Sequence, residues 1–190
     1  MPDRYCGGMS AWLVVVDMQR VFAEPPSPWA APRFDEALAG VRRLLPAFAG
    51  RTVLTRYVAP LEPTGAWVPY FELWPFALVP HDDPLYELVP ALRDAAEDAA
   101  VVTRASFGKW DDGLAAAIDG AREIVLAGVS TDCCVIATAL AAGDAGVRVR
   151  VAADACAGAS DADHERALAA MALFAPLVEI TDVAAVLATG

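Results

Sequence analysis

Long hydrophobic runs, basic clusters, histidines and paired-cysteine spacings are all scarce in this sequence, and each scarcity excludes something. Hydrophobic residues make up 57% of the 190, and mean hydropathy is +0.42. Even so, the richest stretches (11–16, 73–79 and 171–178) fall well short of the ~20 apolar residues a helix needs to cross a bilayer. No membrane partner is expected. Lys and Arg number 14 against 25 Asp and Glu, a formal charge of −11. No stripe gathers the cations, so the phosphate-tracking surface of a nucleic-acid binder is missing. There are two histidines, His81 in a proline-flanked turn and His164 at a helix start. That is too few for a zinc site, which wants three or four matched ligands. No GxGxxG or Walker pattern offers a nucleotide cradle. Neither a metal nor a cofactor is therefore expected.

Cysteine is equally sparse: four residues at 6, 133, 134 and 156, with no CxxC and no framework spacing. A bond between the adjacent Cys133 and Cys134 would be strained. Residues 1–9 carry one basic side chain, Arg4, and the apolar stretch after them ends at Asp17 without a cleavage-type segment. The reading is a cytoplasmic protein with reduced thiols, Cys6 and Cys156 structural and the adjacent pair available for chemistry.

The length suits one domain, here 11–190 behind a short N-terminal extension, 1–10. Apolar, β-branched runs of strand length recur at 11–16, 52–58, 99–103, 123–129, 147–152 and 177–181. Their continuity, without alternation, is that of strands covered on both faces. Between them, 33–49, 85–96, 111–120, 131–145 and 161–174 show helical spacing. This alternation predicts an α/β fold: a three-layer α/β/α sandwich on a mostly parallel, Rossmann-like sheet of about six strands. The apolar excess is assigned to the sheet, to alanine-rich helices and to a subunit interface, making a homo-oligomer (dimer or larger) the expectation. One segment, 60–80, breaks the rhythm with prolines among Trp67, Tyr70, Phe71, Trp74 and Phe76. It reads either as a loop packed over the sheet edge or a partner, or as a wall of a substrate pocket.

In open parallel sheets ligands gather beyond the carboxyl ends of the strands, and three such ends carry reactive groups. The first strand ends in Asp17-Met18-Gln19, where the carboxylate is either a turn cap or a base. The strand at 123–129 runs into Ser130-Thr131-Asp132-Cys133-Cys134, where a helix is expected at once. A thiol in a first helical turn feels unpaired N–H groups and the macrodipole, both favouring thiolate. Buried cysteines are more often inert, and the helix can aim only one of the two into the crevice. The strand at 99–103 leads to Arg104 and, five residues on, Lys109. Together these supply base, cation and nucleophile.

These residues resemble the isochorismatase-like cysteine hydrolases, relatives of nicotinamidase and N-carbamoylsarcosine amidohydrolase. The resemblance spans roughly 11–187 and rests on Asp17-Met18-Gln19 and on Gly128-Val129-Ser130-Thr131-Asp132-Cys133-Cys134-Val135. It implies Cys134 as nucleophile, Asp17 as base and a cis peptide at Val129–Ser130 beside the oxyanion. A small-molecule substrate is expected near Gln19 and the aromatic residues Trp67, Tyr70 and Trp74. The family's catalytic lysine aligns without gaps on Arg104, so either Arg104 acts as a fixed cation or Lys109 reaches back, the latter favoured. The metal set of nicotinamidases, an Asp-x-His after the second strand, has no counterpart in Thr55-Arg56-Tyr57-Val58-Ala59-Pro60. The activity implied is hydrolysis of an amide or related C–N bond. Two rivals stand beside it: an enol-ether hydrolase, whose family members lack the cysteine, and a catalytically altered scaffold that binds ligands or senses thiols. An activated Cys134 is expected to react well below the ~8.5 pKa of a free cysteine.

Overall fold

The computed structural model describes residues 11–189; Cys6 and the N-terminal extension lie outside them. Six strands form one sheet, all pairs parallel, in the order β3-β2-β1-β4-β5-β6. They are β1 (Trp12–Val16), β2 (Thr52–Tyr57), β3 (Ala100–Arg104), β4 (Glu123–Val129), β5 (Arg148–Ala157) and β6 (Val178–Thr181). The helices are α1 (Arg20–Ala23), α2 (Phe34–Leu44), α3 (Trp67–Leu73), α4 (Arg93–Asp98), α5 (Asp112–Ala117), α6 (Ile136–Asp144), α7 (Asp161–Ala172) and α8 (Val183–Ala188).

The continuous apolar strands are explained by burial on two sides. Leu13 and Val15 of β1 join the core beneath α2 and α8, while Val14 and Val16 face the core beneath α5, α6 and α7. Strand β4 divides likewise, with Val125 and Ala127 on one side and Ile124 and Leu126 on the other. Helix α2 follows the dipole, with Asp35 and Glu36 in its first turn and Arg42 and Arg43 in its last. It crosses β5 so closely that a Cβ on Gly40 would lie 2.7 Å from that of Ala155. Asp111, Ser160 and Asp182 cap α5, α7 and α8, each side chain accepting from a backbone N–H in the first turn.

Three expectations need correction. The helix anticipated over 85–96 is two 3₁₀ turns, Pro84–Tyr86 and Pro90–Leu92, followed by the short α4. Each proline starts a turn, but neither lets a helix run through it. The segment 60–80 is not all loop, because its aromatics ride on α3 and a following 3₁₀ turn. The fifth strand runs on to Ala157, with an irregularity that pairs Leu126 with Val151 but Gly128 with Cys156. The extra residues of β5 carry Asp154 outward, where it accepts from the Val183 backbone N–H at 2.7 Å.

The chain builds β1, β2 and β3 to one side, then returns to place β4 against the other side of β1. The point where the order reverses lies between β1 and β4, the standard position for a ligand crevice in an open α/β sheet.

Candidate active site

Asp17 follows β1 directly and takes a left-handed conformation, φ 48°. Non-glycine residues seldom adopt it, though aspartate tolerates it better than most. The carboxylate is fully buried and held from two neighbouring segments. Thr55 of β2 donates its hydroxyl to Oδ1 at 2.6 Å and accepts from the Asp17 backbone N–H at 3.1 Å. Lys109 Nζ lies 2.9 Å from Oδ2 as an ion pair with both side chains wholly inaccessible. Among the described residues Oδ2 has no other polar partner.

Lys109 arrives from the loop between β3 and α5, and three contacts hold it. Its Nζ donates to the Ser106 carbonyl at 2.6 Å and sits 5.1 Å from the Tyr57 ring centre. Its backbone N–H donates to Thr138 Oγ1 at 3.0 Å, and that hydroxyl donates in turn to the Cys134 carbonyl at 2.7 Å. The lysine loop is thus tied to the segment bearing the thiol. Arg104 is not brought into this cluster: its guanidinium turns to Asp111, with Nη2 donating to Oδ1 at 2.8 Å, and to the Thr103 carbonyl. The reason is geometric. The arginine is the last residue of an edge strand, whereas the loop folds back to the sheet centre only at Lys109.

Strand β4 supplies the third group. Gly128, at φ 114°, passes so close to β1 that a Cβ would stand 2.1 Å from the Val16 carbonyl oxygen. The Val129–Ser130 peptide is cis. The chain then makes a single π turn, Thr131–Val135, before α6 begins. The N–H groups of Cys133 and Val135 both return to the Ser130 carbonyl, at 3.1 and 3.0 Å. Thr131 is buried with its hydroxyl 2.9 Å from His164 Nδ1, so that histidine braces the turn. Cys134 is buried within reach of both Asp17 and Lys109.

The thiol's electrostatics correct the expectation of a resting thiolate. Burial pushes the Cys134 thiol well up, the Asp17 charge adds to this, and Lys109 offsets it only in part. Cys133 is pushed up to about 11, mainly by burial and then by Asp132. The resting sulfur is a thiol aimed at a carboxylate.

Next to Cys134 opens a cavity of about 200 Å³, lined by Phe22, Trp29, Tyr57, Tyr70, Trp74 and Phe107 and bordered by Ser130, Asp132 and Cys133. Tyr70 and Trp74 are where the sequence suggested. Trp67 stands one layer back, its ring centre 5.3 Å from that of Tyr70 and 5.4 Å from that of Phe107. Gln19 is not a cavity residue. It is buried, and its amide is consumed by the backbone, Nε2 donating to the carbonyls of Tyr57 and Tyr86 and Oε1 accepting from the Tyr57 N–H. Sequence reasoning missed Thr55, Trp29, Tyr57 and Phe107. Thr55 lies in a β-branched strand run, and the other three sit in separate segments that only the tertiary fold gathers.

The family model for the isochorismatase domain matches residues 11–184. An isochorismatase-like hydrolase from Alkaliphilus metalliredigens superposes with a TM-score of 0.80 at 20% identity, covering 95% of this chain and 99% of that one. A cysteine hydrolase from Pseudomonas syringae pv. phaseolicola 1448A gives 0.79 at 22% identity over 94% and 91%. A pyrazinamidase of Pyrococcus horikoshii, in complex with zinc, gives 0.72 at 28% identity over 90% and 98%. Among curated proteins, none matches the sequence. The residues after β2 do not fit a metal set like that of a nicotinamidase. Tyr57 presents a ring there, His81 Nε2 lies 2.8 Å from the Ala59 carbonyl, and no cluster of three or more His, Cys, Asp or Glu forms among the described residues.

Proposed function

The chain belongs to the isochorismatase family, a family of hydrolases, and from that premise we propose that it is a cysteine amidohydrolase acting on a small molecule. The observation that carries the reading is the buried meeting of Asp17, Lys109 and Cys134 at the mouth of an apolar cavity, where β1 and β4 part. Neighbours named as a pyrazinamidase, an N-carbamoylsarcosine amidase and a nicotinamidase support it. The family's lysine aligns with Arg104, and that substitution was the motive for a non-catalytic reading. The ion pair of Lys109 with Asp17 supports the catalytic reading instead.

In this reading the amide carbonyl lies over Cys134. Asp17, paired with Lys109 and held by Thr55, takes the thiol proton as sulfur attacks the carbonyl carbon. The oxygen's charge is received by N–H groups of the Ser130–Cys134 turn that are not already given to the Ser130 carbonyl. Asp17 then passes its proton to the amide nitrogen. The C–N bond breaks and the amine or ammonia leaves, with the acyl group held as a thioester. Water, deprotonated by Asp17, attacks the thioester; the acid departs and sulfur recovers its proton. No net proton or electron is left over. Lys109 neither gives nor takes a proton in this sequence; it holds Asp17 in place through the ion pair.

The test is turnover of a panel of small primary amides by the wild type and by Cys134→Ala. Hydrolysis lost at least ~10³-fold in the variant, with folding intact, is the expected result. Comparable turnover by both proteins would refute the assignment. Self-association is part of the reading, since Leu61, Val68, Leu73 and Leu78 stay exposed on one segment. Sedimentation above the mass of one chain is expected.

A further inference from the structure

We propose that the cavity beside Cys134 is built for a substrate with a compact cationic head, of the alkylammonium class. The proposal rests on the amidohydrolase reading for its scissile bond and on the cavity for its charge. Six aromatic side chains line the space and no Lys or Arg does. Trp29 is their centre, its ring 5.9 Å from Tyr57, 6.2 Å from Tyr70 and 6.0 Å from Trp74. Aromatic rings present negative faces, and a wall of them holds a cation better than an isosteric neutral group when water is excluded.

The one carboxylate on this wall is Asp132, and it has no ion-pair partner among the described residues. It is nevertheless fixed. Oδ1 accepts from the Ser130 hydroxyl at 2.5 Å and from the Ala159 N–H at 2.9 Å, while the only hydrogen bond to Oδ2 among the described residues comes from the Cys133 thiol at 3.7 Å. A rigid, uncompensated carboxylate beside a ring of aromatic faces is half of an ammonium site. Lys109, the cation beside Cys134, is already paired with Asp17. An anionic substrate would therefore meet Asp132 unopposed, in a protein whose net charge is already −11. Tyr57 contributes its ring to the lining. The space of about 200 Å³ suits a head no larger than trimethylammonium on a short chain.

Three probes separate charge from shape: trimethylammonioacetamide, its uncharged isostere 3,3-dimethylbutanamide, and the anion succinamate. The expected kcat/KM for the cation exceeds that for the isostere by at least ~10-fold, with the anion poorest. Asp132→Asn keeps an oxygen for Ala159 and Ser130 but removes the charge, and the gap is expected to shrink to within ~3-fold. Tyr70→Leu should narrow it as well, which serves if Asp132→Asn does not fold. Calorimetry of the same compounds with Cys134→Ala reads binding without turnover. Tighter binding of the cation by that variant, with no hydrolysis by the wild type, would keep this inference and sink the amidohydrolase reading. Equal or better use of the neutral isostere, or equal binding of the two, would overturn the inference while leaving amide hydrolysis in place.

Discussion

Asp17 and Lys109 are a charge pair taken wholly out of water, and neither can be removed alone without consequence. Breaking a buried pair leaves an uncompensated charge, typically ~3–5 kcal/mol of destabilisation, whereas replacing both partners by neutral groups is often close to neutral. Lys109→Met is accordingly expected to lower urea stability by about that amount, and Asp17→Asn/Lys109→Met to regain most of it. Neither variant should turn over an amide, so the pair of measurements separates holding the fold from performing the reaction. Arg104→Ala, which loses a partly exposed partnership with Asp111 and a bond to the Thr103 carbonyl, is expected to cost about 1 kcal/mol and to leave kcat unchanged. The thiols carry a second prediction. Because burial raises both Cys133 and Cys134, the thiolate fraction of each is small at neutral pH and grows only as pH climbs through its raised pKa. Iodoacetamide labelling followed by peptide mass mapping should be slow at pH 7 for both and accelerate into the alkaline range. Labelling of Cys134 that is already maximal at pH 6 would contradict a resting thiol.

At the scale of elements, the site depends on how strands end. Thr55 is a mid-strand residue whose hydroxyl reaches across to fix Asp17. Thr55→Val keeps the shape and should cost ~1–3 kcal/mol, because a buried carboxylate oxygen loses its donor. A larger proportional loss in kcat than in KM is expected if Asp17 is the base. Gly128 joins β4 to β1 at a distance that admits no side chain. Gly128→Ala combines that clash with a left-handed φ and is expected to destabilise the protein by about 3 kcal/mol or more in chemical denaturation. The strands were legible in the sequence because burial on both faces leaves an unbroken β-branched run. The segment 84–98 was not, since apolar spacing there resembles a helix while Pro84 and Pro90 divide it into short turns. The π turn at Thr131–Val135 was equally hidden, as nothing in residue type distinguishes it from the first turn of a helix.

The whole molecule is an acidic three-layer sandwich whose catalytic candidates all lie where the strand order reverses. Among the described residues, no helix is long and apolar enough to cross a membrane. Its apolar content divides between two cores on either side of the sheet and an aromatic cluster that caps the crevice. That cluster joins α1, the segment after it, the end of β2, α3 and the loop after β3, residues far apart in the chain. Trp29→Ala should therefore act at long range, lowering kcat/KM and quenching resistance to denaturant together, with ~3–5 kcal/mol expected for loss of a large packed aromatic.

What the sequence determined by itself was the layered α/β architecture, because hydrophobic periodicity is a local property, while the choice of Asp17 and Cys134 came from the family resemblance of the motifs just past two buried strands. The tertiary structure alone decided which cation meets the aspartate. Arg104 ends β3 and Lys109 lies five residues on in the following loop, and only the path of that loop, tied to α6 through Thr138, brings the lysine to Asp17 and leaves the arginine at the sheet edge. The same holds for Gln19, which sequence position assigned to substrate and hydrogen bonding assigned to the backbone. It holds too for the charge of the cavity, since an aromatic wall with one unpaired carboxylate is a property of side chains converging in space.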